Sequence, residues 1–150
     1  MKPSADDIIR IARQFDYVRE APSLGQNQGS RVNGIQIWSL GHPADSWCAE
    51  YATMVLDLAY KGAAPIPRGG SCEAIHQQAI EARWMRPVAK PGMLYLYLNP
   101  AGRAHHVGIV TSASPLIGIA GNTSVDGASS NGDRVAEHAI SASAFVDYFG

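Results

Sequence analysis

The sequence predicts an α+β fold, with helices first and an antiparallel sheet after them. Two observations point there. Apolar residues recur at helical spacing up to about position 84, then at every second position from about position 93. The later runs follow one another through short turns with no helical pattern between them, which argues against a doubly wound parallel sheet. At 150 residues the chain is expected to form one domain, 1–150, large enough for a proper core.

The elements follow in order. Ser4 to about Glu20 reads as an amphipathic helix, capped by Ser4 or Asp6. Its stripe is Ile8, Ile11 or Ala12, Phe15 and Val18, with Asp7, Arg10, Arg13 and Asp16 facing away. Ala21 to Asn33 holds Pro22, Gly25, Asn27 and Gly29 and reads as loop. Gly34 to Trp38 fits a strand or a helical turn equally. Breakers at Gly41 and Pro43 lead to Asp45 and Ser46, both good caps for a helix running to about Lys61 and stopped by Gly62. Ala63 to Gly70 is loop. Ser71 caps a second helix to about Trp84, with a weak apolar face.

Pro91-Gly92 then turns the chain into a strand, Met93 to Leu98, with Leu94, Leu96 and Leu98 on one face and Tyr95 and Tyr97 on the other. After the Asn99-Pro100-Ala101-Gly102 turn come strands at His105–Thr111 and Leu116–Ala120, the latter ending at Gly121-Asn122. A glycine- and serine-rich loop fills 124–133. Val135–Ile140 is expected as a last strand, and 141–149 as a short helix or turn.

A formal net charge of −1 with scattered Lys and Arg gives no basic stripe, so no nucleic-acid partner is expected. Cys48 and Cys72 can in principle pair, but two cysteines are too few for a disulfide scaffold, and neither C-x-x-C nor zinc spacing occurs. No apolar run has the length of a signal peptide's core at the N-terminus, nor the roughly 20 residues of a membrane span. The chain is expected to be made in the cytoplasm; if it acts outside the membrane, something else delivers it.

Cys48 falls in the first turn of its helix, where free N–H groups and the positive end of the dipole favour a thiolate. A buried structural cysteine is the alternative. Cys72 occupies the same position in its own helix, so placement alone does not choose between the two. A cysteine nucleophile needs a base, and the base needs an orienting group. Alternation puts His106 on a face with Gly108 and Val110, and His105 on a face with apolar residues. The space beside Gly108 favours His106, since it leaves room for substrate or for the cysteine helix. Asn122 can accept from the far ring nitrogen and fix the tautomer, or can be a plain turn residue. His76 reads as a surface or rim residue without ligand spacing.

Trp47-Cys48-Ala49-Glu50-Tyr51, Pro91-Gly92, His106-Val107-Gly108-Ile109-Val110 and Gly121-Asn122-Thr123 resemble the CHAP family of cysteine- and histidine-dependent amidohydrolases and peptidases. This is part of the wider papain-like, NlpC-type group. Gln26-Asn27-Gln28-Gly29 and Gly132-Asp133-Arg134-Val135 are similar to further segments of such phage lysins, so the likeness covers about positions 8–138. It implies a papain-like fold, with the cysteine heading a helix packed on an antiparallel sheet. It implies Cys48 as nucleophile, His106 as base and Asn122 as orienting residue, acting without cofactor or metal on an amide bond of peptidoglycan. Many members have Glu where this chain has Ala120, and Pro-Gly-Asp where it has Pro91-Gly92-Met93. The lost carboxylate keeps a non-catalytic, wall- or protein-binding reading open. A phage lysin and an antibacterial effector delivered to a rival periplasm are the expected contexts; any immunity or delivery partner is unidentified. A purely structural domain, whose cysteine and histidine never meet, is the remaining alternative.

Overall fold

The computed structural model describes residues 2–39, 41–42, 46–123 and 132–149. It is α+β: helices packed on one antiparallel sheet. The first helix, α1 (Ala5–Arg13), opens with a reciprocal cap. Ser4 Oγ accepts from the Asp7 N–H at 3.1 Å, and Asp7 Oδ2 accepts from the Ser4 N–H at 3.0 Å. Ile8, Ile9 and Ala12 face inward. The helix stops at Arg13 rather than near Glu20, because the chain beyond it joins the sheet edge. The Val135 N–H donates to Val18 O at 3.0 Å, and the Glu20 N–H to Asp133 O at 2.7 Å.

A short 3₁₀ turn, Pro22–Leu24, precedes α2 (Ser30–Trp38), which buries Val32, Ile35 and Gln36. The stretch 34–38 is therefore helical, and the helix starts inside the expected loop. Its start carries no side-chain cap, and Gly34 interrupts the pattern, so the sequence hides it. The next two helices are α3 (Cys48–Ala59) and α4 (Cys72–Glu81), and Ser71 caps the latter by accepting the Ala74 N–H at 3.0 Å.

Six strands follow among the described residues: β1 (Met85–Arg86), β2 (Leu94–Leu98), β3 (Ala104–Ala113), β4 (Leu116–Thr123), β5 (Arg134–Ala139) and β6 (Ala144–Val146). Their order is β1-β6-β2-β3-β4-β5, antiparallel between every pair of neighbours. The segment 141–149 thus supplies a strand between β1 and β2, not a helix. Three residues are too few to show a period, but they alternate as a strand should: Val146 joins the main core and Phe145 the opposite side.

The sheet separates two apolar layers. On the helical side Leu94, Leu96, Val107, Ile109, Ile119 and Val146 meet Ile8 and α3, of which Cys48 through Leu56 are all buried. On the other side Met93, Tyr95, Val110, Ala120, Ile140 and Phe145 form a smaller cluster. The alternation expected for β2 is present, except that Leu98 at its end is exposed. Gly121 lets α3 press onto β4. A Cβ there would lie 2.8 Å from Trp47 and Tyr51. No helix among the described residues is long and apolar enough to cross a membrane.

Candidate active site

Cys48 is the first residue of α3 and is 2% exposed. Of the two expected caps, Asp45 lies outside the described residues. Ser46 does not cap α3; its hydroxyl accepts from Asn122 Nδ2 at 3.0 Å instead. The head of the helix is held through Trp47. Its indole N–H donates to Glu20 Oε2 at 3.0 Å, while Glu20 Oε1 accepts the Asn27 N–H at 2.8 Å. Gln36 Nε2 closes the group on Asn27 O at 2.8 Å. The Gln26–Gly29 segment thus supports the residue before the cysteine.

His106 lies on β3, on the strand face it shares with Val110 rather than the Val107 and Ile109 face that packs with α3. The register pairs Tyr97 with His106 but Leu98 with Ala104, so His105 is the extra residue of a bulge. His105 is exposed and His106 is 1% exposed. Tyr97 stacks on the His106 ring, centroids 5.5 Å apart and planes at 23°, and Tyr95 flanks it at 6.0 Å. The space beside Gly108 takes neither substrate nor the cysteine helix. Tyr95 fills it, lying across Gly108 and Gly118 where any Cβ would overlap its ring.

Cys48 meets His106 and also a second sulfur. Cys48 Sγ and Cys72 Sγ are 3.4 Å apart, both buried and both free thiols. Hydrogen bonding with Cys72 draws the Cys48 thiol well below its ordinary range. Burial opposes this; the His106 imidazole, by hydrogen bonding and charge, and the Val107 N–H assist. Cys72 moves the opposite way, raised by its bond to Cys48, by burial and by the Cys48 charge. The two cysteines that sequence position left equal thus differ in direction: the Cys48 thiol is drawn down and the Cys72 thiol pushed up.

Asn122 lies inside β4, not beyond it, and is fully buried. The β3–β4 register (Ile109 with Ile119, Val110 with Gly118), continued toward the strand end, sets Asn122 across from His106. Its φ of +54° is left-handed, a conformation asparagine tolerates better than most residues, and it coincides with an irregularity in the β4–β5 register. Its amide donates to Ser46. Its Oδ1, and Nδ1 of His106, are both buried without a hydrogen-bond partner among the described residues. The orienting bond expected between these side chains is not formed in this structure. Ala120 packs in the apolar cluster with Tyr95.

His76 is not a surface residue. It is 6% exposed, and its Nδ1 is 2.9 Å from Glu73 Oε1. Glu73 Oε1 also accepts the Ala104 N–H at 2.8 Å. Sequence reasoning left Cys72 undecided and missed Tyr97 and Glu20 as parts of the site. Cys72 alone carried a signal, a capped helix start like that of Cys48. The described residues contain no group of three or more His, Cys, Asp or Glu able to hold a metal ion. Searches of protein-family models, of curated proteins and of solved structures each return no significant match to this chain.

Proposed function

We propose that this chain is a CHAP-like cysteine amidohydrolase with a papain-like arrangement, cutting an amide bond of peptidoglycan. The observation that carries the reading is the meeting of Cys48, at the head of α3, with His106 on β3. In the reaction the Cys48 thiolate attacks the amide carbonyl carbon. The backbone N–H of Cys48, at the head of α3, receives the developing oxyanion. Protonated His106 gives its proton to the leaving amine. Water, with His106 now taking its proton as base, then hydrolyses the thioester, releasing the acid and restoring the Cys48 thiolate and protonated His106.

One observation favours a second reading, a non-catalytic domain that binds the wall or a protein. Cys48 and His106 are 2% and 1% exposed, so a polymer reaches them only after some local opening. One experiment separates the two. Turbidity of purified cell walls is followed with wild type and Cys48→Ala, and the released fragments are identified by mass spectrometry. Wild-type lysis abolished by the substitution supports the hydrolase and identifies the bond. Equal lysis by both excludes it. No lysis by either, with both proteins sedimenting with the walls, favours binding.

A further inference from the structure

Cys72 lies outside the Cys48–His106–Asn122 arrangement, yet its sulfur touches the reacting one at 3.4 Å. The contact is fixed from several directions. Ser71 caps α4 and so makes Cys72 its first residue. Glu73, the next residue, accepts the Ala104 N–H at 2.8 Å and ties the head of α4 to the strand that carries His106 two residues later. Glu73 is itself braced by His76 at 2.9 Å and by Gln77 at 2.7 Å. The helix end that presents Cys72 and the strand that presents His106 therefore move together, with Cys48 between them.

We propose that Cys72 is a positioning residue for Cys48: its S–H donates to Cys48 Sγ, aims that sulfur and holds it as the thiolate. This rests on the reading of Cys48 as nucleophile. A thiol has one hydrogen to give, and a buried anion is stabilised by a donor more than a neutral sulfur is. With both sulfurs shielded from water, the contact works in a medium of low dielectric. The opposite shifts of the two thiols agree with a donor and an acceptor rather than two equal partners. Of the other groups around Cys48, β3 brings His106, β2 brings the buried Tyr95 phenol, and α4 brings His76 and Glu73, already paired to each other. Glu50 follows on α3 itself, β4 has no titratable side chain, and the charged residues of α1 are at the surface or half-buried. Cys72 is thus a neutral donor to the sulfur beside the histidine, so His106 need not remain charged for the thiolate to persist.

The test is the ultraviolet absorbance of thiolate against pH, which needs no substrate and no reagent entering the core. Wild type is compared with Cys72→Ser, which keeps a donor, and Cys72→Ala, which does not. Wild type should show one thiolate with a midpoint below the ordinary value of about 8.5 and a second only at far higher pH. Cys72→Ala should raise the Cys48 midpoint by about one unit or more, a tenfold loss of thiolate below it. Cys72→Ser should stay near wild type. An unchanged midpoint in Cys72→Ala overturns the proposal, as does a Cys72→Ser midpoint raised as far as that of Cys72→Ala. If neither variant folds by circular dichroism, wild type alone decides: two thiolates appearing together at an ordinary midpoint overturn it. Wall lysis plays no part here, so failure of the hydrolase reading and failure of the thiol pairing are seen separately.

Discussion

Gly121→Ala tests how tightly the head of α3 is pressed onto the sheet. The added Cβ would lie 2.8 Å from Trp47 Cε3, Trp47 Cζ3 and Tyr51 Cβ. Ordinary carbon contacts fall at about 3.5–4.0 Å, so these atoms must give way by roughly 1 Å. Neither neighbour has room to do so. Both are fully buried; the Trp47 indole is held by Glu20 at 3.0 Å and the Tyr51 hydroxyl donates to Ala12 O at 2.8 Å. Overpacking of this kind costs about 1–3 kcal/mol, and the two hydrogen bonds at stake put this case at about 2–3. For a chain of this size each kcal/mol moves Tm by about 2–4 °C, so a fall of roughly 4–12 °C is expected in scanning calorimetry. Because Trp47 precedes Cys48, the thiolate midpoint should shift as well. A Tm within about 1 °C of wild type would refute the reasoning, since it would mean that α3 and β4 separate freely.

Glu73 carries a pH prediction. The Ala104 N–H first, then Gln77 and His76, hold its carboxyl down at about 2, against an ordinary value of 4.5. Its folded pKa is depressed, so its stabilisation is complete above about 4.5 and is lost as pH falls from there through about 2. Glu73→Gln should therefore unfold at lower denaturant than wild type at neutral pH, and the gap should close toward pH 2; a constant gap would count against the assignment. Tyr97→Leu removes the ring stacked on His106, a pair worth about 0.5–1.5 kcal/mol, and should lower lytic activity about 2–10-fold and shift its pH profile. Tyr97→Phe should leave both near wild type, and equal behaviour of the two variants would remove the stacking role. Hydrogen peroxide should convert the Cys48 thiolate to a sulfenic acid, which the Cys72 thiol then displaces as water, leaving a disulfide. Intact-protein mass spectrometry should record the loss of two hydrogens, reversed by dithiothreitol. Addition of oxygen atoms without that loss would show that the sulfurs do not pair.

Much of the architecture can be read from the chain because its patterns are local. Ser4 and Ser71 cap helices as their positions imply, and the Leu-Tyr alternation of β2 separates two faces. What could not be read depends on contacts distant in sequence. The end of α1 is decided by β5, more than a hundred residues away. The short strand β6 exists only because β1 and β2 leave a gap between them. The positions of Cys48 and His106 follow from the helix-start and strand patterns, but Cys72 becomes their neighbour only when α4 docks on β3. Gly108 illustrates the limit of local reasoning: an absent side chain signals that something comes close, not what it is. Here it is Tyr95.

That slot has a consequence for mutational surveys of this chain. Tyr95 rests on two glycines in neighbouring strands and flanks the imidazole from below. In a saturation library scored by lysis, positions 108 and 118 should tolerate almost nothing and would resemble reactive positions. Yet neither offers a side chain to any substrate. A parallel score for folded protein would expose them as space left for a phenol ring, while Cys48 would fail the first score and pass the second.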